Sequence, residues 1–230
     1  MTTDFESLSA QELLQWAVTT YGERVGLASS FGAEDVVLID MLCKITPNPT
    51  IFTLDTGRLN QETYNLMDEI RTKYKINFTV LFPKHDAVED MVRKHGMNLF
   101  YETVENRKLC CGVRKIEPLK RGLASLDAWI TGLRKEQTQN RNQILKVEDD
   151  IANGGIKKLN PLADWTEQQV QDYIKKNGVP YNVLHDRGYP SIGCECCTRA
   201  VKPGEDPRAG RWWWENADDG KKECGLHVTK

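Results

Sequence analysis

The chain has 230 residues, 40% apolar and 28% charged, with a formal net charge of -2, a balance that suits a core-burying globular domain and argues against a general nucleic-acid binder. No apolar run reaches membrane-spanning length, and the N-terminus has neither the basic region nor the apolar core of a secretory signal. The expected setting is therefore the cytoplasm, where seven cysteines serve metal or redox chemistry more readily than structural disulfides.

Ser9-Ala-Gln-Glu12 has the form of a capping box, which predicts a first helix to about Tyr21. The apolar run Arg24–Ser30 reads as a buried strand. It ends in the small-residue turn Ser29-Ser30-Phe31-Gly32-Ala33-Glu34-Asp35, and Val36, Val37, Leu38, Ile39 and Met41 continue as a helix. Strand, tight turn and helix together aim backbone N–H groups at an anion or nucleotide. The turn lacks the Gly-Lys-Ser/Thr ending of a Walker loop. A second strand at 50–54 closes in Asp55-Thr56-Gly57-Arg58, which is either an ordinary turn or a place where a short acid meets a base or ribose hydroxyl.

A helix is predicted over 61–74, a strand over 77–82 stopped by Pro83, and a helix over 86–95. Cys110 opens a helix to about Gly122. The strand Ala128–Thr131 runs into the basic loop Gly132-Leu133-Arg134-Lys135-Glu136-Gln137. Short strands are placed at 144–147 and 156–159, and Thr166 caps a helix to Asn177. Alternating strands and helices predict an α/β fold, a parallel sheet flanked by helices, with ligands beyond the carboxyl ends of its strands. Residues 1–200 form the expected body. Residues 201–230, with their prolines and glycines, form an expected mobile tail that Trp212-Trp213-Trp214 dock onto it.

The cysteines arrive in groups. Cys110-Cys111 and Cys194-Glu195-Cys196-Cys197 offer soft thiolates suited to zinc or an iron–sulfur centre, against the plain alternative of buried free thiols. Cys194 and Cys197 have the better clamping spacing; Cys196 between them is a bystander or an alternative ligand. Cys43 lies in an apolar stretch and reads as inert core. Cys224 sits in the polar end segment near Lys221, Lys222 and His227, cations that favour a thiolate. Arg114 with Lys115, Arg134 with Lys135, and Arg208 with Arg211 are either surface charge or a set gathered for sulfate and phosphate oxygens.

Taken in order, these motifs resemble the assimilatory adenylylsulfate reductases, the iron–sulfur branch of the adenylylsulfate/phosphoadenylylsulfate reductase family. The resemblance runs from Ser29 to His227. It rests on the Ser29–Asp35 turn, Leu54-Asp55-Thr56-Gly57, Cys110-Cys111 with Arg114-Lys115, Thr131–Gln137, Tyr189–Cys197, Gly210–Trp214 and Glu223–His227. It implies a Rossmann-like fold of the adenine nucleotide alpha hydrolase type. It also implies a 4Fe–4S cluster on Cys110, Cys111, Cys194 and Cys197. Adenosine 5'-phosphosulfate is expected on Ser29, Ser30, Phe31, Gly32, Glu34 and Asp35, on Leu54, Asp55, Thr56 and Gly57, and on Gly132, Leu133, Arg134 and Gln137. Lys115, Arg208, Arg211 and His227 are the implied catalytic cations, and Cys224 the nucleophile. The implied reaction forms a Cys224 S-sulfonate and AMP; a thioredoxin-type dithiol then releases sulfite. A homo-oligomer is the expected assembly. The rival readings are a phosphoadenylylsulfate or dual-specificity reductase and a non-enzymatic metal-binding redox sensor. An ATP pyrophosphatase would want a Ser-Gly-Gly-x-Asp-Ser loop, which Ser29–Asp35 does not match.

Overall fold

Ser9 caps the first helix, α1 (Ala10–Tyr21), through the expected reciprocal bonds: its side chain accepts from the Glu12 N–H, and the Glu12 carboxylate accepts from the Ser9 N–H at 2.8 Å. Such a cap is worth about 1 kcal/mol. The computed structural model describes residues 4–137 and 143–215. In chain order the elements that follow are β1 (Val25–Ser29), α2 (Ala33–Ile45), β2 (Ile51–Leu54), α3 (Gln61–Tyr74), β3 (Thr79–Leu81), α4 (His85–His95) and α5 (Val104–Cys111). A π-helical turn, Gly112–Ile116, then leads into α6 (Glu117–Leu123). The last elements are β4 (Ala128–Ile130), β5 (Val147–Asp150), β6 (Ile156–Leu159) and α7 (Glu167–Asn177), with Thr166 forming a second capping box with Gln169.

The six strands form one sheet in the order β3-β2-β1-β4-β6-β5. All neighbours are parallel except β5 and β6. Leu27 at the centre pairs with Ile51 on one side and Ile130 on the other, so β1 is buried on both faces, as a parallel core strand must be. The chain leaves β1 towards β2 on one side and reaches β4 on the other. Their carboxyl ends therefore diverge at a switch point, where α/β sheets open a ligand crevice. The main core packs α1, α2 and α7 over the sheet through Leu14, Val36, Leu38, Ile39, Leu162 and Val170.

Two expectations change. The cysteine pair does not open a helix: Cys110 and Cys111 end one that starts at Val104, and the π turn separates them from α6. The penultimate strand lies three residues later than the expected 144–147. Ile144 instead leaves the sheet for a small satellite core with Leu133 and Ala163, and the strand itself is the half-buried edge β5.

Candidate active site

The crevice at the switch point is a cavity of about 200 Å³. Three strand-end turns build it. From β1 come Ser29, Ser30 and Gly32, followed by Glu34 and Asp35 in the first turn of α2. From β2 come Leu54 and Thr56; from β4 come Gly132, Leu133 and Gln137. The β1 turn is held from inside. Asp35 accepts from the Ser30 N–H at 2.6 Å and the Ser30 hydroxyl at 2.8 Å. Burial pushes its carboxyl up to about 6, although both bonds pull the other way. Gly132 is required where it stands, because a Cβ there would come within 2.9 Å of the Glu34 Cβ and closer still to the Asp35 carboxylate. The Gln137 amide ties the β4 loop to α2, donating to Glu34 at 2.8 Å and to the Gly132 carbonyl at 3.1 Å.

Beside this crevice lies a second, tighter cavity lined by five thiols: Cys110, Cys111, Cys194, Cys196 and Cys197. Lys115 is the residue that lines both cavities. The π turn puts it there, since the Glu117 N–H bonds back five residues to the Gly112 carbonyl and widens the helix where Arg114 and Lys115 project. Arg114 Nη1 donates to the Thr56 carbonyl at 2.6 Å, and the Thr56 hydroxyl stands 3.2 Å from the Cys194 sulfur. The β2 turn thus touches the strand-end crevice and the thiol cavity at once.

The thiol cavity is cationic. Arg58, Arg107, Arg114 and Arg211 also line it. Arg107 is matched by Glu215, with Nε 2.8 Å from Oε1 and both side chains almost fully buried. Arg114 and Arg211 are buried too, yet the Nε of each has no hydrogen-bond partner among the described residues. A buried cation of this kind calls for an anion. Burial pushes the Cys110 thiol up, with Arg114 pulling it back. Cys196 is pulled down by its hydrogen bond with Cys197 and by Arg58, while the same bond drives Cys197 up. Among the described residues no three His, Cys, Asp or Glu side chains converge as they would on a single metal ion. Thiols spread around one cavity, with unpaired guanidinium N–H groups between them, fit a multi-iron cluster better than zinc. A cluster's ligands attach to separate irons, and its core and thiolates together are anionic.

Residues 24–200 match the family described as the phosphoadenosine phosphosulfate reductase domain. The chain belongs to that family. Among the relatives of this reductase domain, the adenosine 5'-phosphosulfate reductase of Burkholderia cepacia is 51% identical over 221 residues, covering 95% of this chain and 87% of the relative. That of Allochromatium vinosum is 50% identical over 205 residues, covering 89% and 79%. A solved phosphoadenylyl-sulfate (PAPS) reductase from Candida auris, in a phosphate complex, superposes with a TM-score of 0.71 at 34% identity over 85% of this chain and 91% of its own. An FMN adenylyltransferase from Candida glabrata shares the fold alone, at 14% identity and a TM-score of 0.57 over 81% of this chain and 59% of its own. The chain is an enzyme of the adenosine 5'-phosphosulfate reductase branch.

Several residues expected at the reductase site stand elsewhere. Phe31 adopts a left-handed backbone (φ 57°) that turns its ring into the core against Phe78. Asp55 is buried beneath the β2 turn, accepting from the Tyr64 hydroxyl at 2.9 Å and the Gly57 N–H at 2.7 Å; it and Gly57 shape the crevice rather than line it. Arg134 is buried among carboxylates, 2.8 Å from Glu34 and paired with Glu167, so its charge is spent inside the wall. Arg211 lines the thiol cavity, donating to the Ser191 hydroxyl at 3.1 Å, while Arg208 is half-buried and lines neither cavity. Trp212 is buried over the thiols and Trp214 is half-buried against Phe100. Cys224 and His227 lie outside the described residues. Arg107 and the contact of Thr56 with Cys194 carry no local signal in the sequence; Arg58 carries one, standing directly after the β2 turn. No helix among the described residues is long and apolar enough to cross a membrane.

Proposed function

We propose that this chain reduces adenosine 5'-phosphosulfate to sulfite and AMP at the expense of a thioredoxin-type dithiol. The observation that carries the reading is Lys115, which faces the nucleotide-sized crevice on one side and the thiol cavity on the other. The adenosine end lies against the β1 and β4 turns. The N–H-rich start of α2 and the Thr56 turn direct the phosphosulfate towards Lys115. Cys110, Cys111, Cys194 and Cys197 hold a 4Fe–4S cluster, which supplies a fixed negative charge and a cross-link between the chain's middle and its last third. Arg114 and Arg211 lend their free Nε–H groups to that anion.

Cys224, carried on the C-terminal segment 201–230, attacks the sulfate sulfur as a thiolate, with Lys221, Lys222 and His227 favouring its ionised form. An S–S bond forms, the bond from sulfur to the bridging oxygen breaks, and AMP departs with that electron pair. Attacking thiolate and sulfate are both anionic, so Lys115 offsets their repulsion and stabilises the charge growing on the bridging oxygen. A dithiol then attacks the Cys224 sulfur and sulfite leaves with the bonding pair. The dithiol's second thiol closes a disulfide and frees Cys224, so two electrons pass from dithiol to sulfur.

Mass spectrometry of protein mixed with adenosine 5'-phosphosulfate, without reductant, tests this. Wild type gains one sulfonate on Cys224 as one AMP is released, and C224S gains none while still binding nucleotide. K115M forms the adduct about 10²-fold more slowly with unchanged iron. An adduct persisting in C224S overturns the reading. The 34% identity to a PAPS reductase keeps the 3'-phosphorylated nucleotide as a second substrate to compare by kcat/KM.

A further inference from the structure

We propose that Cys196 is a reserve ligand of the iron–sulfur centre, able to take over the position held by Cys197. The proposal rests on the cluster reading above and goes beyond its four thiolates. Five sulfurs line the cavity, and a 4Fe–4S core takes one thiolate per iron. Four of the five are buried. Cys196 is half-buried, on the solvent side of the group. Its sulfur lies 3.8 Å from that of Cys197.

The backbone explains how neighbours in sequence present sulfurs to one place. Residues 195–197 form a single 3-10 turn, and its frame is clamped at several points. The Glu195 N–H donates to the Arg58 carbonyl at 2.9 Å, and the Cys197 N–H to the Cys194 carbonyl at 2.9 Å. The Tyr101 hydroxyl donates to the Cys196 carbonyl at 2.9 Å, and the Trp212 N–H to the Cys197 carbonyl at 3.2 Å. With the main chain held this way, exchange of one sulfur for the other takes side-chain rotation and no refolding. The Cys194 sulfur sits 3.2 Å from the Thr56 hydroxyl. The exchange is redox-neutral: Cys196 gives up its proton as its sulfur binds iron, and Cys197 takes one up as it leaves. The chain thereby carries a built-in replacement for Cys197, ready if oxidation removes that ligand.

Full-length wild type, C196S, C197S and C196S/C197S, purified anaerobically, test this by iron and acid-labile sulfide per chain and by visible absorption. C196S should match wild type. C197S should keep iron within about twofold of wild type, and the double variant should fall at least about tenfold. Alkylation of intact wild-type holoprotein should label Cys196 and spare the other four. Iron in C197S as low as in the double variant, or C197S that fails to fold while C196S folds, overturns the proposal, because the spare sulfur then held nothing. Iron lost in C196S overturns it too, since Cys196 would be the resident ligand. Wild type without iron refutes the cluster reading itself, a result separate from any difference between variants.

Discussion

Asp35 shows how one buried group can report on the site. Its carboxyl is raised from 3.8 to about 6, chiefly by desolvation. In the unfolded chain it releases its proton near pH 4. Between those values the native state keeps a proton that the unfolded state has lost. The stability this confers is complete below about pH 4 and disappears as pH rises through about 6, a change of roughly 3 kcal/mol. D35N should abolish that slope, because an amide still accepts from Ser30 without ever ionising. Urea unfolding at pH 4.5 and pH 7 measures it, and parallel pH profiles for the two proteins would defeat the argument. Other residues of the crevice were legible because they sit at strand ends: Ser29, Thr56 and Gly132 follow apolar runs that could only be buried strands. Phe31 was not legible, since nothing in a sequence marks a left-handed backbone at a bulky residue. Arg134 reads as available charge because two of the carboxylates that bury it, Glu34 and Glu167, come from α2 and α7, distant in sequence.

At the scale of elements, the capping box at Ser9 and the cap at Thr166 locate two helices to within a residue of their starts. Local chemistry writes such boundaries directly. The π turn left no trace of that kind, because a five-residue hydrogen-bond step alters no apolar period over so short a stretch. Yet it is the element that serves both cavities. Removing one residue from it, as in ΔVal113, should let the helix close to ordinary α spacing. Lys115 then rotates by about 100° relative to one flank, one residue's share of a 3.6-residue turn. The expected result is unchanged far-UV circular dichroism with S-sulfonate formation slowed about 10²-fold, as in K115M. A deletion variant that forms the adduct at the wild-type rate would show that the widened turn has no part in placing Lys115. The edge strand β5 was misplaced because Ile144 and Leu145 carry its strand-like apolarity, but Ile144 packs in a satellite core and Leu145 is exposed.

The whole molecule divides into unequal cores. The sheet and its helices bury a large apolar cluster; among the described residues the thiol-bearing region buries Met91, Leu99, Phe100 and Trp212 beside its cysteines, with Val92, Val113 and Trp214 partly buried against them. So small a core needs other fastenings. One is the Arg107–Glu215 pair, with Arg107 also stacked over Trp212 at 4.6 Å. Cutting it from one side, as in R107M, leaves a buried carboxylate unpaired and should cost about 3–5 kcal/mol by urea unfolding. R107M/E215L should recover part of the loss. The other fastening is the proposed cluster, whose thiolates join residues 110–111 to 194–197. A cross-link between distant segments stabilises what it joins and leaves an independent core alone. Chelator-treated protein should therefore lose hydrogen-exchange protection over residues 99–116 and 194–215 and keep it in β1, β2 and β4. Unchanged protection around the thiols would mean the region stands without metal. Uniform loss across the sheet would mean the two cores are one cooperative unit, contrary to the partition seen in their packing.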